Sequence, residues 1–324
     1  PSSPSAGDII AVKDYANTFD NNNCILGRNG SKIGGEEING TLSAEGIAVT
    51  AIFTDSTRGW LVTDSGLQSD IPTARFISAT GGTITTSPCG NFRIHSFTGP
   101  GTFTVCSVGN AAGSNTVSYA VVAGGGGGGS SVPGNAGAGG GAGGYRESKA
   151  ASDSYTASPL NATCGPGYNL PVSAQGYPID VGAAGTGSTC QSNKGGSGGN
   201  STFSTITSAG GGGGGSNASR PGVNGGSGGG GAGPQGNNGG VSTPGSSPPD
   251  QSAGGGGGAT EIGVNGGSPG SQPSGRGGAG TTTNITGSPV AYAGGGGGGK
   301  SGPGGNPGAA SPCGTGGAGG ASSA

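Results

Sequence analysis

Four stretches of this chain read Ala followed by nothing but glycine: Ala123 with 124–129, Ala209 with 210–215, Ala253 with 254–258 and Ala293 with 294–299. Glycine has no side chain to bury and loses more entropy on ordering than any other residue. A pure glycine run is therefore either a flexible tether or backbone packed directly against other backbone. Gly and Pro supply about a third of the 324 residues, a range where low complexity is the default. Yet charged residues are only 8% and the net charge is −2, so self-repelling disorder does not describe the chain. Hydrophobic residues at 28% leave little for a large conventional core. The near-neutral balance lacks the basic stripe that nucleic acid requires, and no apolar run reaches the length of a membrane span. Neither a nucleic-acid partner nor membrane insertion is expected. The chain opens on Pro1 and reads as a fragment or a processed form.

The spacing of the runs favours packed backbone. They begin at 123, 209, 253 and 293, so the later intervals are 44 and 40 residues and the first, 86, is close to twice that. Runs interrupted by Ala or Ser lie between them, at 139–144, 195–199, 225–231, 277–280 and 316–320. Polyglycine can adopt the left-handed three-residue helix, which has no internal hydrogen bonds and turns every N–H and C=O outward. Buried, those groups need partners on neighbouring segments. A helix enclosed on all sides needs glycine throughout, as at Gly126, Gly212, Gly256 and Gly296 in the pure runs. An outer helix tolerates Ala or Ser on its exposed third, so the interrupted runs are expected outside. Each ordered residue costs about 1–2 kcal/mol and each hydrogen bond returns about 1, so only many helices packed together are stable. Short apolar patches such as Val121-Val122 and Val290-Ala291-Tyr292 ahead of the runs are not linker sequence.

Before residue 124 the chain is rich in Thr, Val, Ile and Phe, with no sustained helical period. Residues 47–54 and 58–63 read as strands around Asp55-Ser56-Thr57, and 92–97 with 102–105 read as a hairpin around Gly99-Pro100-Gly101. The expected fold is thus all-β N-terminal modules followed by a polyglycine II helix bundle, with almost no α-helix. The expected domains are a small β module (1–72), a hairpin-rich connector (73–123) and the glycine-rich bundle (124–324). The six cysteines include no CxxC pair, and His95 stands alone, so no metal site is expected. Cys89 and Cys106 on opposite arms of the predicted hairpin are either a disulfide or two core thiols. Cys164 and Cys190 bracket the long insertion 145–193, and a bridge there would stabilise it by roughly 3 kcal/mol.

No constellation for catalysis is visible. Asp153, Asp180 and Asp250 are isolated, no serine is paired with His95, and Gly299-Lys300-Ser301 lacks the strand and helix of a phosphate loop. No enzyme activity and no cofactor are expected. Trp60 reads as a core or interface plug, and His95 as a strand residue with a satisfied hydrogen bond. Tyr145, Tyr155, Tyr168 and Tyr177 all fall in 145–193. That segment is either a structural crossover or a contact surface, since exposed tyrosine offers area at low entropy cost.

Several stretches resemble a recurrent type of bacteriophage tail-fibre or virion appendage protein. They are 81–85 leading to 94–105, Tyr119-Ala120-Val121-Val122-Ala123 running into glycine, Tyr177-Pro178-Ile179-Asp180-Val181-Gly182, Asn200-Ser201-Thr202-Phe203 and 287–293. Residues 26–33 and 55–60 resemble a small β module of such fibres. The resemblance implies a virion structural protein outside the cell, a homotrimer joined to other tail proteins. It would attach to a host receptor, a glycan or an outer-membrane protein, through loops at the ends of glycine helices. The remaining alternatives are a non-viral extracellular matrix protein and an ice-binding protein.

Overall fold

The computed structural model describes residues 1–67, 74–110, 113–130, 136–165, 167–189, 193–216, 221–229, 236–242, 252–267, 273–301, 307–314 and 316–322. Among them every regular element is a strand, and no α-helix is present. The chain forms two compact units, residues 1–75 with 110–113, and residues 76–109 with 114–324. The boundary expected at 72/73 lies outside the described residues. The segment expected as a separate connector shares a sheet with strands from beyond residue 124, as described below.

In the first unit, β1 (Ile9–Lys13), β4 (Ile47–Asp55) and β5 (Gly59–Leu67) form an antiparallel sheet in the order β1-β4-β5. A separate hairpin pairs β2 (Cys24–Leu26) with β3 (Gly40–Leu42). The β4–β5 turn is fixed by the Asp55 carboxylate, which accepts from the N–H groups of Thr57 and Arg58. Gly59 follows at φ +72, where a Cβ would lie 1.9 Å from Lys32 O. Pairing Phe53 with Trp60 sets their rings edge to face at 5.5 Å, in a core of Ala51, Phe53 and Trp60. Trp60 is a core residue here.

The second unit opens with a long bent hairpin. Strand β6 (Ser78–Thr80) pairs with β9 (Gly101–Ser107), and β7 (Thr83–Thr86) with β8 (Arg93–Ser96). The bend falls at Gly81 and Gly82, both at positive φ, where Cβ atoms would strike Thr102 O and Ser96 O. The hairpin predicted around Gly99-Pro100-Gly101 is therefore corrected: β8 and β9 lie end to end on one arm, and the tip is at 87–92. Cys89 sits at that tip and Cys106 near the far end, separated by most of a ladder at about 3.3 Å per residue. A disulfide needs Cα atoms within about 7 Å. Both thiols are free and exposed, so neither the bridge nor the core pair forms.

Strand β9 continues the sheet β16-β15-β14-β9-β6, with β14 (Gly176–Asp180), β15 (Ser201–Phe203) and β16 (Ile206–Ser208). Its inner face carries Phe103, Val105, Tyr177, Phe203 and Ile206, closed by Tyr119, Val121 and Val172. Shorter pairs join β10 (Thr116–Val117) to β13 (Leu170–Pro171), β11 (Tyr119–Val122) to β12 (Tyr145–Ser148), and β17 (Thr281–Thr283) to β18 (Val290–Tyr292). Strands β19 (Lys300–Ser301) and β20 (Ala321–Ser322) pair in parallel.

The glycine segments bond to one another with a repeat of three residues. The N–H groups of Ala123, Gly126 and Gly129 donate to the carbonyls of Gly144, Gly141 and Ala138; those of Gly124 and Gly127 donate to Gly199 and Gly196. Segment 252–259 is enclosed. It donates to 293–299, to Val264 and Glu261, and to Gly228, and it accepts from 139 and 142, from 275 and 278, and from Gly240. Those neighbours also bond to one another in a closed ring, through Gly263 N to Asn238 O, Val264 N to Arg276 O, Gly295 N to Gly278 O, Gly296 N to Gly140 O, Ser227 N to Ala142 O and Gly228 N to Asn237 O. A Cβ at Gly126, Gly212 or Gly256 would lie 2.1, 1.8 or 2.0 Å from a carbonyl oxygen, whereas at Gly296 the nearest atom is at 3.3 Å.

The expected burial holds for the pure runs 210–215, 254–258 and most of 294–299, and the interrupted runs 195–199 and 316–320 are largely outside, but one pair reverses it. The interrupted run 139–144 is buried throughout, while the pure run 124–129 is only partly so, with Gly128 exposed. Side chains are accepted inside where they have a place of their own. Ala142 packs with Tyr145, Ala259 and Ala293 at the end of the runs, and the fully buried Ser227 donates its hydroxyl to Gly258 O. Gly256→Ala is expected to destabilise the second unit by about 3 kcal/mol or more, because no flexible side chain can yield to the new methyl. Gly317→Ala, which meets nothing within 4 Å, should stay within about 0.5 kcal/mol of the parent. Thermal melts followed by circular dichroism compare them, and equal midpoints would refute close backbone packing.

Candidate functional site

The glycine segments turn into strands at one end. Val122 leads into Ala123, Gly144 into Tyr145, Asn200 into Ser201, Ser208 into Ala209, Gly280 into Thr281 and Tyr292 into Ala293. Where side chains reappear, the three-residue backbone repeat gives way to antiparallel pairing with its alternating faces. Two serines join the strands across this junction: the hydroxyls of Ser201 and Ser208 donate to Val122 O and Val121 O. The opposite ends of the runs lead to 131–135, 190–192, 217–220, 243–251, 268–272 and 302–306, which are outside the described residues.

The strand end is organised around Glu147, on β12 and 1% exposed. Its Oε2 accepts from Tyr145 Oη at 2.9 Å and from Ser158 N at 2.9 Å, and its Oε1 accepts from Thr283 Oγ1 at 2.6 Å. One carboxylate thus fastens β12, the loop at 155–158 and β17. The Tyr145 ring stacks on Tyr292 at 6.3 Å. Burial, reinforced by the Glu147 charge, pushes the Tyr145 hydroxyl well above its ordinary pKa. The same two causes, in the same order, push up Tyr155, whose buried hydroxyl has no hydrogen-bond partner. Neither phenol ionises near neutrality. Lys149 lies with its ammonium 5.9 Å from the Tyr155 ring centroid.

The four tyrosines therefore separate. Tyr145 and Tyr177 are buried; the Tyr177 hydroxyl accepts from Ser173 N at 2.8 Å and its ring packs against Phe103 and Phe203. Tyr155 is half-buried under its own loop. Tyr168, 37% exposed, is the member of the set with a face to offer. It sits in a turn between Gly167 and Asn169, both at positive φ, and the Asn169 side chain accepts from Ala151 N. Segment 145–181 is thus a folded crossover with one outward tyrosine, not a tyrosine surface. Cys164 is an exposed free thiol, and its expected partner Cys190 lies outside the described residues. His95 is engaged structurally, with Nδ1 2.8 Å from Gly81 O and its ring edge-on to Phe103 at 5.1 Å.

Two functional groups of the framework were not singled out from sequence. Glu147 is one, since an acid with no cation at a regular spacing gives no signal. Asp14 in the first unit is the other. It is 1% exposed, and its carboxylate accepts from the N–H groups of Thr18, Phe19 and Gly46. Burial pushes its pKa up, but the donors of Phe19, Thr18, Gly46 and Asn17 together outweigh that and hold it below the model-compound value of 3.8. Between neighbouring glycine segments, Arg276 and Glu261 form a two-pronged ion pair, with Nη2–Oε1 at 2.6 Å and Nη1–Oε2 at 3.0 Å. Hydrogen bonds from Arg276 are the main cause holding the Glu261 carboxyl low.

Among the described residues, no group of His, Cys, Asp and Glu is placed to hold a metal ion. The family described as a glycine-rich domain matches residues 98–324, covering β9 but not β8 of the bent hairpin's second arm, and all the glycine segments. No curated protein matches the chain.

A carboxylate whose pKa is lowered on folding adds stability above its unfolded pKa, and that stability is lost as pH falls through the folded value. The first unit, read by the fluorescence of Trp60, is expected to lose stability below about pH 4. Asp14→Ala, which strands three N–H donors, should lower it by about 2–4 kcal/mol at neutral pH. Retention of the acid-sensitive step in that variant would assign it elsewhere. In the second unit, Glu147→Ala is expected to cost about 3 kcal/mol in denaturant unfolding followed by circular dichroism, while Tyr168→Ala leaves stability within about 0.5 kcal/mol.

Proposed function

The chain belongs to the glycine-rich domain family, and from that premise we propose that its glycine segments form a polyglycine II helix bundle serving as the rigid part of a virion fibre or tail appendage. The observation that carries the reading is the three-residue hydrogen-bond repeat, which is the period of that helix. Three residues per turn give three directions for N–H and three for C=O, matching the alternation of donors and acceptors around 252–259. None of the glycines in the four pure runs is at positive φ, as the left-handed helix requires. A body built this way is stiff because each strand of backbone is held on several sides.

Its role is attachment to a bacterial surface, by binding and not by catalysis. The segments that connect the glycine runs in sequence on the side away from the strands are the proposed contact surface. Their sequences, such as Asn217-Ala218-Ser219-Arg220 and 243–251, are rich in Ser, Asn, Gln and Pro. Such residues suit a polar target, a glycan or the extracellular face of an outer-membrane protein, and need no cofactor. The buried state of Tyr145 and Tyr177 moves the proposed contact away from 145–193, where Tyr168 is left as a secondary element. The particle is proposed as a homotrimer assembled with other tail proteins, outside the cell.

Purified protein is expected to bind host cells and to compete with virions for adsorption. Replacing 217–220 and 243–251 together by Gly-Ser sequence of equal length should reduce that binding by about tenfold or more, a loss of about 1.4 kcal/mol, with an unchanged melting midpoint. Undiminished binding would remove the turns from the interface; binding to no host at all would reduce the reading to a structural role.

A further inference from the structure

The ring of neighbours that closes around 252–259 does not close around 137–144. There the surrounding segments are 123–129, 209–215, 226–229, 252–259 and 293–300, each bonded to 137–144 and each to the next. Gly211 N meets Gly124 O, Gly212 N meets Ser227 O, Gly257 N meets Gly228 O and Gly256 N meets Gly296 O. Between 293–299 and 123–129 no such bond exists among the described residues, which leave one position vacant.

The vacancy is lined by unmatched backbone groups. Of the N–H groups of 137–144, Ala138, Gly141 and Gly144 donate to 209–215, and Gly139 and Ala142 donate to 254 and 257. The remaining row, Gly137, Gly140 and Gly143, donates to no acceptor among the described residues, although all three residues are buried. Buried N–H groups without partners are rare in native proteins, and each costs about 1–3 kcal/mol. On one flank, the carbonyls of Gly126 and Gly129 lie against 137–144, where a Cβ on Gly140 or Gly137 would meet them at 2.1 or 2.2 Å, and they accept no hydrogen bond among the described residues. The donor row of Gly137, Gly140 and Gly143 is the one left without a match, and one more glycine helix in the vacancy would supply it.

The glycines along its walls add an independent sign. A Cβ on Gly125 would lie 3.7 Å from Gly141 O and 4.0 Å from Gly143 N, and one on Gly128 would lie 3.8 Å from Ala138 O. One on Gly296 would lie 3.3 Å from Gly140 O and 3.4 Å from Gly140 N. Inside a single chain Gly125 and Gly128 have room for a methyl, unlike Gly126 or Gly256, while Gly296 is intermediate. Glycine is needed there only if another backbone comes as close as the existing ones do.

We infer that the groove between 123–129, 137–144 and 293–300 receives a glycine-rich run of a second copy of this chain. The inference rests on the polyglycine II reading given above. A second copy fits because the groove asks for this chain's own chemistry: an uncharged backbone with a three-residue repeat and no side chains on the facing sides. The chain also presents such a run outward, since Gly317 and Gly320 of 316–320 meet nothing within 4 Å.

The test uses the full chain in sedimentation over a concentration series, with site-resolved amide exchange on the same samples. Self-association is expected, with the amides of Gly140 and Gly143 becoming protected as it proceeds. The variant Gly125→Ala with Gly128→Ala should keep the parent melting midpoint at low concentration and raise the dissociation constant about tenfold or more. A chain that stays monomeric throughout, or a variant that associates as well as the parent, overturns the inference. The amide of Gly256, in the enclosed segment, reports separately on the bundle: if it exchanges freely, the polyglycine II reading itself fails, whatever the association state.

Discussion

The structure of the second unit depends on backbone hydrogen bonds between segments that have no side chains to bring them together. In an ordinary fold the hydrophobic effect collapses the chain and hydrogen bonds are then satisfied. Here the glycine segments bury very little apolar area, and what holds them is the number of bonds each can make at once. Segment 252–259 is bonded on every side. Removing any neighbour would leave buried N–H and C=O groups without partners, so the lattice stands or falls as a whole. The small apolar core around Phe103, Val105 and Phe203 contributes something different. It fixes where the strands end, and through Ser201 and Ser208 it sets the register from which the glycine repeat proceeds.

The junction between the two kinds of structure is where charge enters the interior. Among the described residues no cation pairs with Glu147; hydroxyl and amide donors from three separate segments surround it instead. That arrangement is specific in the way a buried polar group can be: the carboxylate tolerates one placement of Tyr145, Ser158 and Thr283 and penalises the rest. Asp14 does the same for the 14–19 turn and Gly46 in the first unit. Both acids spend their hydrogen-bonding capacity on holding loops.

Much of this was legible in the sequence, for identifiable reasons. The strands read at 47–54 and 58–63 were visible because β-branched residues flank a turn whose Asp55 caps it, although β5 runs on to Leu67. Backbone packing of the glycine runs was visible because apolar residues stand immediately before them. What was misread turned on facts that periodicity does not carry. Gly99-Pro100-Gly101 looked like a hairpin tip, but Gly81-Gly82 opposite it supply the bend and the chain runs on. Ala142 and Ser227 looked like marks of an outer helix, but a methyl fits where the runs widen into strands, and a hydroxyl can replace a backbone donor. Tyr145 and Tyr177 looked available, and their hydroxyls turned out to have internal partners. Glu147 and Asp14 gave no signal, because their partners are backbone amides and hydroxyls scattered through the chain.

The absence of side chains in the enclosed segments has a consequence for how such a protein can vary. Every other residue carries a Cβ, so any replacement at a position like Gly126 or Gly256 meets a carbonyl oxygen within about 2 Å. Substitution is thereby barred from the enclosed positions by chemistry alone, while positions such as Gly317 and Gly320, where an added methyl meets nothing within 4 Å, stay open to change.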